Sequence, residues 1–293
     1  MITHAHEQHP DLSIERLCDL FGVSRSWYYE RAGQLTHREE DTALRDEIER
    51  IILEFAGYGY RRVTHTLQRQ GRVVNHKRVL RIMREESLLC HLKRRFVVTT
   101  TDSRHGLPVY PNRLAGVELT APNQAWVADL TYIRLRGEFV YLACILDAYS
   151  RRCVGWSLSR DMTAQLTLGA LQQAIDERQP PPGLIHHSDR GMQYASHEYV
   201  TRLEQIGAQI SMSAVGNPYD NAKAESFFKT LKQEEVYLKE YESFADAQAN
   251  LQEFIERVYN TKRLHSSLGY LPPVEFEQAF EVEYLPEAHA RKS

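Results

Sequence analysis

Between Ala125 and Ser159 the chain runs through three apolar stretches, AWVADLTYIRL, FVYLACILDAYS and CVGWSLS, parted by short polar turns. Each is strand-length and rich in β-branched and aromatic residues. The first alternates, so that Val127, Asp129, Thr131 and Ile133 share a face. Arg136-Gly137-Glu138 turns the first run into the second. Helix and strand patterns then take turns. Thr163 to Arg178 spaces Leu166, Leu168, Ala170, Leu171 and Ile175 as a helix and stops at Pro180-Pro181-Pro182-Gly183. LIHHSD is a short strand, Ser196 to Gly207 a helix, AQISMS a strand, and Phe244 to Tyr259 another helix after the one that carries Glu225. Hairpin-like strands followed by this alternation predict an α/β protein with a mixed sheet, not a sandwich or a bundle.

The residues before Ala125 read differently. Ser13 is placed to cap a helix with Ile14, Leu17 and Leu20; Gly22 permits a tight turn; Ser24 caps a second helix, Arg25 to Arg31. This is a helix-turn-helix-like pattern over 11–33, with Arg25, Ser26 and Tyr28 available to a DNA groove. A plain helical hairpin fits as well. Leu44 to Phe55 reads as a further helix. After a Gly break, Asn75 caps a helix that turns Val79, Ile82 and Met83 inward.

Over this region the charge is lopsided. Eleven bases (Arg61, Arg62, Arg69, Arg72, Lys77, Arg78, Arg81, Arg84, Lys93, Arg94 and Arg95) face two acids, Glu85 and Glu86, in a chain of net charge -3. Such a patch is the footprint of a polyanion partner, here double-stranded DNA. No apolar run is long enough to span a membrane, and the N-terminus lacks the apolar core of a signal peptide. Cys18, Cys90, Cys144 and Cys153 are scattered, with no CxxC. That argues against a disulfide framework or a structural zinc site and for a reducing cytoplasm.

Three carboxylates carry the chemistry. Asp129 lies inside an apolar strand, Asp189 ends another in HHSDRG, and Glu225 begins a helix after a Gly-Asn-Pro loop. Taken singly, an Asp at a strand end is more often a turn residue, and Glu225 with Lys229 is an ordinary helix ion pair. At about 100° per residue, however, Glu225, Lys229 and Lys232 fall on one narrow stripe, and Ala224, Phe227, Phe228 and Leu231 lie opposite. The helix is expected to pack by its aromatic side and to present one acid with two bases. Three converging carboxylates repel unless a cation joins them, and hard oxygen donors select Mg²⁺ or Mn²⁺. Two such ions about 4 Å apart suit in-line displacement at phosphorus, with Lys229 and Lys232 placed for the DNA phosphate. Asp147 is read as structural, partnered by Ser150, Arg151 and Arg152.

WVADLTYI, HHSDRGMQY and GNPYDNAKAESFFKTLKQE resemble the three blocks of the DDE transposase and retroviral integrase superfamily. Thirty-five residues part Asp189 from Glu225, and Lys232 follows seven after it. YNTKRLHSSLGYLPPVEFE and GYGYRRV…VNHKRVLRIMREESL resemble segments of the bacterial transposases named for insertion sequence three, specifically their second-frame product. The resemblance implies an RNase H-like core over 121–285, after a helical DNA-binding region over 1–98 (basic unit 41–95) and a linker over 99–120, with a tail over 286–293. It implies metal binding by Asp129, Asp189 and Glu225, and contact with element-end DNA by Lys232. It further implies 3′-end cleavage by water, then strand transfer. His187, Ser188, Arg190, Gly191, Gln193, Tyr194, Asn217, Asp220 and Asn221 match flanking positions and are expected to support loop geometry and carboxylate orientation.

By the same resemblance, a dimer or larger oligomer holds two ends in a synaptic complex in a bacterial, nucleoid-associated setting. An upstream-frame helix-turn-helix protein is a possible partner. HAHEQH has no cysteine pair, so no zinc module is carried over. A catalytically silent DNA-binding regulator on the same scaffold is the alternative.

Overall fold

The computed structural model describes residues 1–90, 107–213 and 221–284, without the side chains of Thr3, residues 32–39 and Tyr284. Lys93, Arg94, Arg95, Asn217 and Asp220 lie outside the described residues. The chain divides into two units, Met1–Cys90 and His91–Ser293.

In the first unit, α1 (Ile2–Gln8), α2 (Ile14–Leu20) and the start of α3 (Arg25–Glu54) enclose a small core of Ile2, Leu17, Cys18 and Tyr28. Ser13 and Ser24 cap α2 and α3 through the amides of Arg16 and Trp27, and Gly22 turns between them at φ 69°. Three expectations change here. Helix α1 was not foreseen. Arg25–Arg31 and Leu44–Phe55 are parts of one continuous helix, because the single Gly33 between them costs only about 1 kcal/mol and its neighbours are mostly good helix formers. Tyr28 is buried rather than open to a groove, and Leu20 is exposed rather than packed. The far half of α3 packs on α4 (Tyr60–Arg69) and α5 (His76–Glu85) through buried Leu44, Ile48, Val63, Leu67, Val79, Ile82 and Met83. Asn75 caps α5 as expected.

The second unit is built on β1 (Ala125–Arg134), β2 (Phe139–Asp147), β3 (Cys153–Ser159), β4 (Ile185–Ser188) and β5 (Gln209–Met212). Their order is β3-β2-β1-β4-β5. The first three pair antiparallel as a meander, while β4 runs parallel to β1 and β5 parallel to β4. This is the RNase H-like arrangement. One face of the sheet packs on α6 (Ala164–Arg178) and α7 (His197–Gln205). The other packs on α8 (Ala222–Leu231), which runs on as a π-helical turn (Lys232–Val236), and on α9 (Phe244–Gln252), which runs on as a π-helical stretch to Tyr259. Residues from 107 onward lie against this unit: the Arg113 amide donates to Ser211 Oγ at 2.8 Å, and Leu114 and Leu119 pack on the core.

The final helix, α10 (Pro273–Tyr284), is tied down by charge. Its buried Glu277 accepts from Ser150, Arg152 and both terminal nitrogens of Arg178. Just before it, Arg263 grips Glu234 with two hydrogen bonds of 2.8 and 2.7 Å. The Asn260 side chain both donates to the Cys153 carbonyl and accepts from its amide. The closing segment of the sequence thus staples the helical layer to the sheet. No helix among the described residues is long and apolar enough to cross a membrane.

Candidate active site

The site arises where two strands differ in length. Parallel β4 pairs with β1 only at Ala125, Trp126 and Val127, yet β1 runs on to Arg134. From Ala128 onward that edge of β1 is open. Asp129 is the second residue of this open edge. It stands opposite Cys144 on β2, on the face that α8 covers. Its Oδ1 accepts the neighbouring Leu130 amide at 2.8 Å. The Ala128 carbonyl is met by the Asn221 side chain, which donates from the start of α8 at 3.3 Å. Asn221 therefore anchors the Glu225 helix beside Asp129. Lys223 adds a second anchor, donating to the Ala148 carbonyl at 2.6 Å.

Asp189 follows the last residue of β4. Its Oδ1 accepts the Gly191 amide at 2.9 Å. A Cβ on Gly191 would lie 3.0 Å from that oxygen and 3.2 Å from Gln193 Oε1, so a larger residue there presses on the carboxylate by a few tenths of an ångström. Arg190 Nε donates to the Ser213 carbonyl, and Gln193 Nε2 to that of Met162. The loop after β4 is thereby fixed at three points. Tyr194 is fully buried against Tyr199, and its hydroxyl has no hydrogen-bond partner among the described residues.

Electrostatics joins the pieces. Burial, together with the charges of Asp189 and Glu225, pushes the Asp129 carboxyl up to about 8, against the opposing pull of the Leu130 amide and Lys232. Burial also holds Lys232 below the usual lysine range. Its ammonium sits 4.7 Å above the Tyr132 ring. Glu225 and Lys229 are exposed on α8, while Ala224, Phe227, Phe228 and Leu231 are buried beneath it, as the helix stripe predicts.

The donor set is all oxygen, and its excess negative charge calls for a hard divalent cation. Among the described residues, no three His, Cys, Asp or Glu side chains stand close enough to enclose one ion. The chemistry of the acids fits the metal; their spacing in this structure is wider than one ion spans.

His186 and His187 face opposite ways, as expected. His186 bonds Tyr199, and burial pushes it down to about 3, which keeps it neutral. His187 lies between Ser211 and Ser213. Asp147 is fully buried and structural, but its partners are the amides of Asn123, Tyr149 and Ser150 and the Ser150 hydroxyl, not Arg151 or Arg152. Burial raises it even so.

The bases of the helical unit are partly spoken for. Arg78 pairs with Asp41 and Glu40, Arg81 with Asp41 and Glu85, and Arg72 with Glu47. Counting charge within residues 61–95 missed Glu40, Asp41 and Glu47 because they sit on α3. Lys77 and Arg84 are exposed and have no carboxylate partner among the described residues. The Arg61 and Arg62 guanidiniums lie over the rings of Tyr60 and Tyr58. Arg25 reaches Glu15 at 3.5 Å. Lys223 and Tyr132 were not singled out from sequence. A lysine early in a helix and a tyrosine in an alternating strand have too many ordinary uses to be noticed there.

Known proteins resemble both units. Residues 120–218 match an integrase core domain family, residues 206–273 a second integrase core domain family, and residues 39–96 an HTH-like domain family. The chain is 41% identical over 271 residues to an uncharacterized 31 kDa protein of insertion element IS600 from Shigella sonnei, covering 90% of this chain and 98% of that one. It is 40% identical over 241 residues to the transposase for insertion sequence element IS904 from Lactococcus lactis, covering 82% and 95%. It is 37% identical over 273 residues to transposase InsF for insertion sequence IS3A from Escherichia coli, covering 91% and 94%.

Proposed function

This chain belongs to the insertion-element transposases of the IS3 family, and from that premise we propose that it cuts the 3′ ends of an insertion sequence and joins them to target DNA, with Asp129, Asp189 and Glu225 as the catalytic carboxylates. The observation that carries the reading is the crowding of acids on Asp129 at the edge of β1. Asp129 is pushed up to about 8 by burial, by Asp189 and by Glu225, with the Lys232 ammonium alongside. Glu277, a buried structural acid, is by contrast held down by Arg178.

Asp129, Asp189 and Glu225 would hold divalent cations, Mg²⁺ or Mn²⁺ and two per site, which when bound would activate the attacking oxygen and neutralise charge on the phosphate. Asp129 takes part as its deprotonated form. Asn221 and Lys223 fix the Glu225 helix, and Gly191 fixes Asp189. Lys232 lies where a phosphate oxygen at Asp129 meets a positive charge, and Lys229 lies one turn nearer solvent. In the helical unit, Lys77 and Arg84, which have no carboxylate partner among the described residues, would meet duplex phosphates, joined by Arg61 and Arg62. Acting on two element ends requires at least two protomers, and an upstream-frame partner is a candidate for end recognition.

The test is Mg²⁺- or Mn²⁺-dependent nicking and joining of DNA that carries the repeats flanking the coding sequence. Asp129→Asn, Asp189→Asn and Glu225→Gln should each bind DNA and lose both steps. Full activity in any one of them refutes the assignment. A wild type that binds DNA but stays inactive, even with the upstream-frame product added, would support the silent regulator.

A further inference from the structure

Beside Lys232 a groove of about 640 Å³ opens at the β1–β2 turn. Among its lining residues are the rings of Tyr132, Phe139 and Tyr237, with that of Tyr241 buried behind them, and the bases Arg134, Arg136, Lys232 and Lys239. The geometry points to a second DNA subsite: this groove takes an unpaired nucleotide of the strand whose phosphate lies at the carboxylates. The inference rests on the reading that the chain acts on DNA.

The rings are set out for stacking. Tyr132 and Phe139 meet edge to face, centroids 5.7 Å apart. Phe139 opens β2 and leaves 53% of its surface exposed, so its ring is open to a stacking partner. Tyr237 is 36% exposed. Base stacking on such rings tolerates any sequence, because every base has a π face.

The charges agree. Arg134 and Arg136 are exposed and have no carboxylate partner among the described residues. Lys239 also lines the groove but is matched by Glu235 at 2.9 Å. Among the lining residues Glu240 is the one acid, against Arg134, Arg136 and Lys232. The volume suits a small-ligand-sized group and not a duplex. Position completes the case. The Lys232 ammonium caps the Tyr132 ring while its charge is felt at Asp129, so one side chain borders both places. A strand held at the acids therefore has its neighbouring nucleotide beside the groove. An acidic peptide would satisfy the arginines and leave the rings unused.

The test uses the full chain and two mixed-sequence duplexes, one blunt and one with unpaired nucleotides at one end that include 2-aminopurine. Wild type should bind the frayed duplex roughly tenfold tighter than the blunt one and quench the 2-aminopurine on binding. Phe139→Ala should lose the quench and the preference, with its fold checked by circular dichroism; Phe139→Trp should keep both. Arg134→Gln with Arg136→Gln should flatten the salt dependence of frayed-end binding. Equal affinity for the two duplexes in wild type overturns the subsite, as does a preference that survives in Phe139→Ala. If DNA binds and acid-dependent cutting occurs without the preference, only the subsite falls. If no DNA binds in any form, the subsite and the transposase reading fall together.

Discussion

At Asp129, folding and function pull against each other. Its carboxyl is raised to about 8 in the fold, against about 3.9 in an unfolded chain. The folded state therefore holds the proton more tightly. Below pH about 4 both states are protonated and the site costs nothing; as pH rises towards 8 the unfolded state ionises first, and stability falls across that window. With chelator present, wild type should show a melting temperature that declines between these limits. Asp129→Asn should show a flatter profile and be the more stable protein near pH 8. Parallel profiles would show that Asp129 is not the group responsible. Gly191 makes a second prediction at this scale. Gly191→Ala puts a Cβ 3.0 Å from Asp189 Oδ1, so cutting should fall by roughly a hundredfold while the melting temperature moves little. Unchanged cutting would show that the loop absorbs the methyl. The three acids were legible in the sequence because apolar strands frame two of them and helix periodicity frames the third. The raised pKa was not legible, because it depends on which side chains the fold brings together.

Among the elements, strand and helix periods foretold the sheet, its flanking helices and the buried side of α8. They could not foretell that β4 meets β1 at only three positions, since parallel register is a long-range outcome. That shortfall opens the edge on which the site is built. The close seating of α6 on β3 was equally hidden. Gly155 carries it: a Cβ there would lie 2.2 Å from the Ala170 carbonyl oxygen and 2.9 Å from the Ala174 amide. Both are backbone atoms of α6, so the whole helix must lift. Gly155→Ala should cost at least roughly 1–3 kcal/mol of unfolding free energy, read from urea titration. A cost near zero would mean that the helix floats on the sheet. Glu277 makes the matching test for α10. It is held below its ordinary range by Arg178 and by Ser150, in spite of burial. Glu277→Gln leaves Arg178 short of its counter-charge, while Arg152 keeps Glu177, and should cost about 3 kcal/mol. Because the folded pKa is lowered, this stability is present above the unfolded value of about 4.3 and is lost as pH falls through the folded one. The variant should accordingly differ most from wild type near neutral pH and least in acid.

At the level of the whole molecule, each unit has a core of its own. The Met1–Cys90 unit rests on the α3–α4–α5 core and on the pairing of Asp41 with Arg78 and Arg81. The mutually repelling acids around Asp129 belong to the sheet unit. A divalent cation that binds the folded sheet unit and not its unfolded chain stabilises that unit alone, by an amount that grows with the logarithm of metal concentration. Thermal unfolding of the full chain is therefore expected in two steps, since two separate cores need not melt together. Mg²⁺ should raise one step and leave the other in place. Asp129→Asn should abolish most of that response without removing either step. The steps can be assigned by probe: far-ultraviolet circular dichroism follows both units, while tryptophan fluorescence reads Trp126 and Trp156 in the sheet unit and Trp27 in the helices, told apart by Trp27→Phe. If Mg²⁺ moves both steps equally, the metal is acting on general charge and not on the three carboxylates. If it moves the sheet step in wild type and equally in Asp129→Asn, the cation binds elsewhere, and the assignment of Asp129 as a metal ligand is wrong.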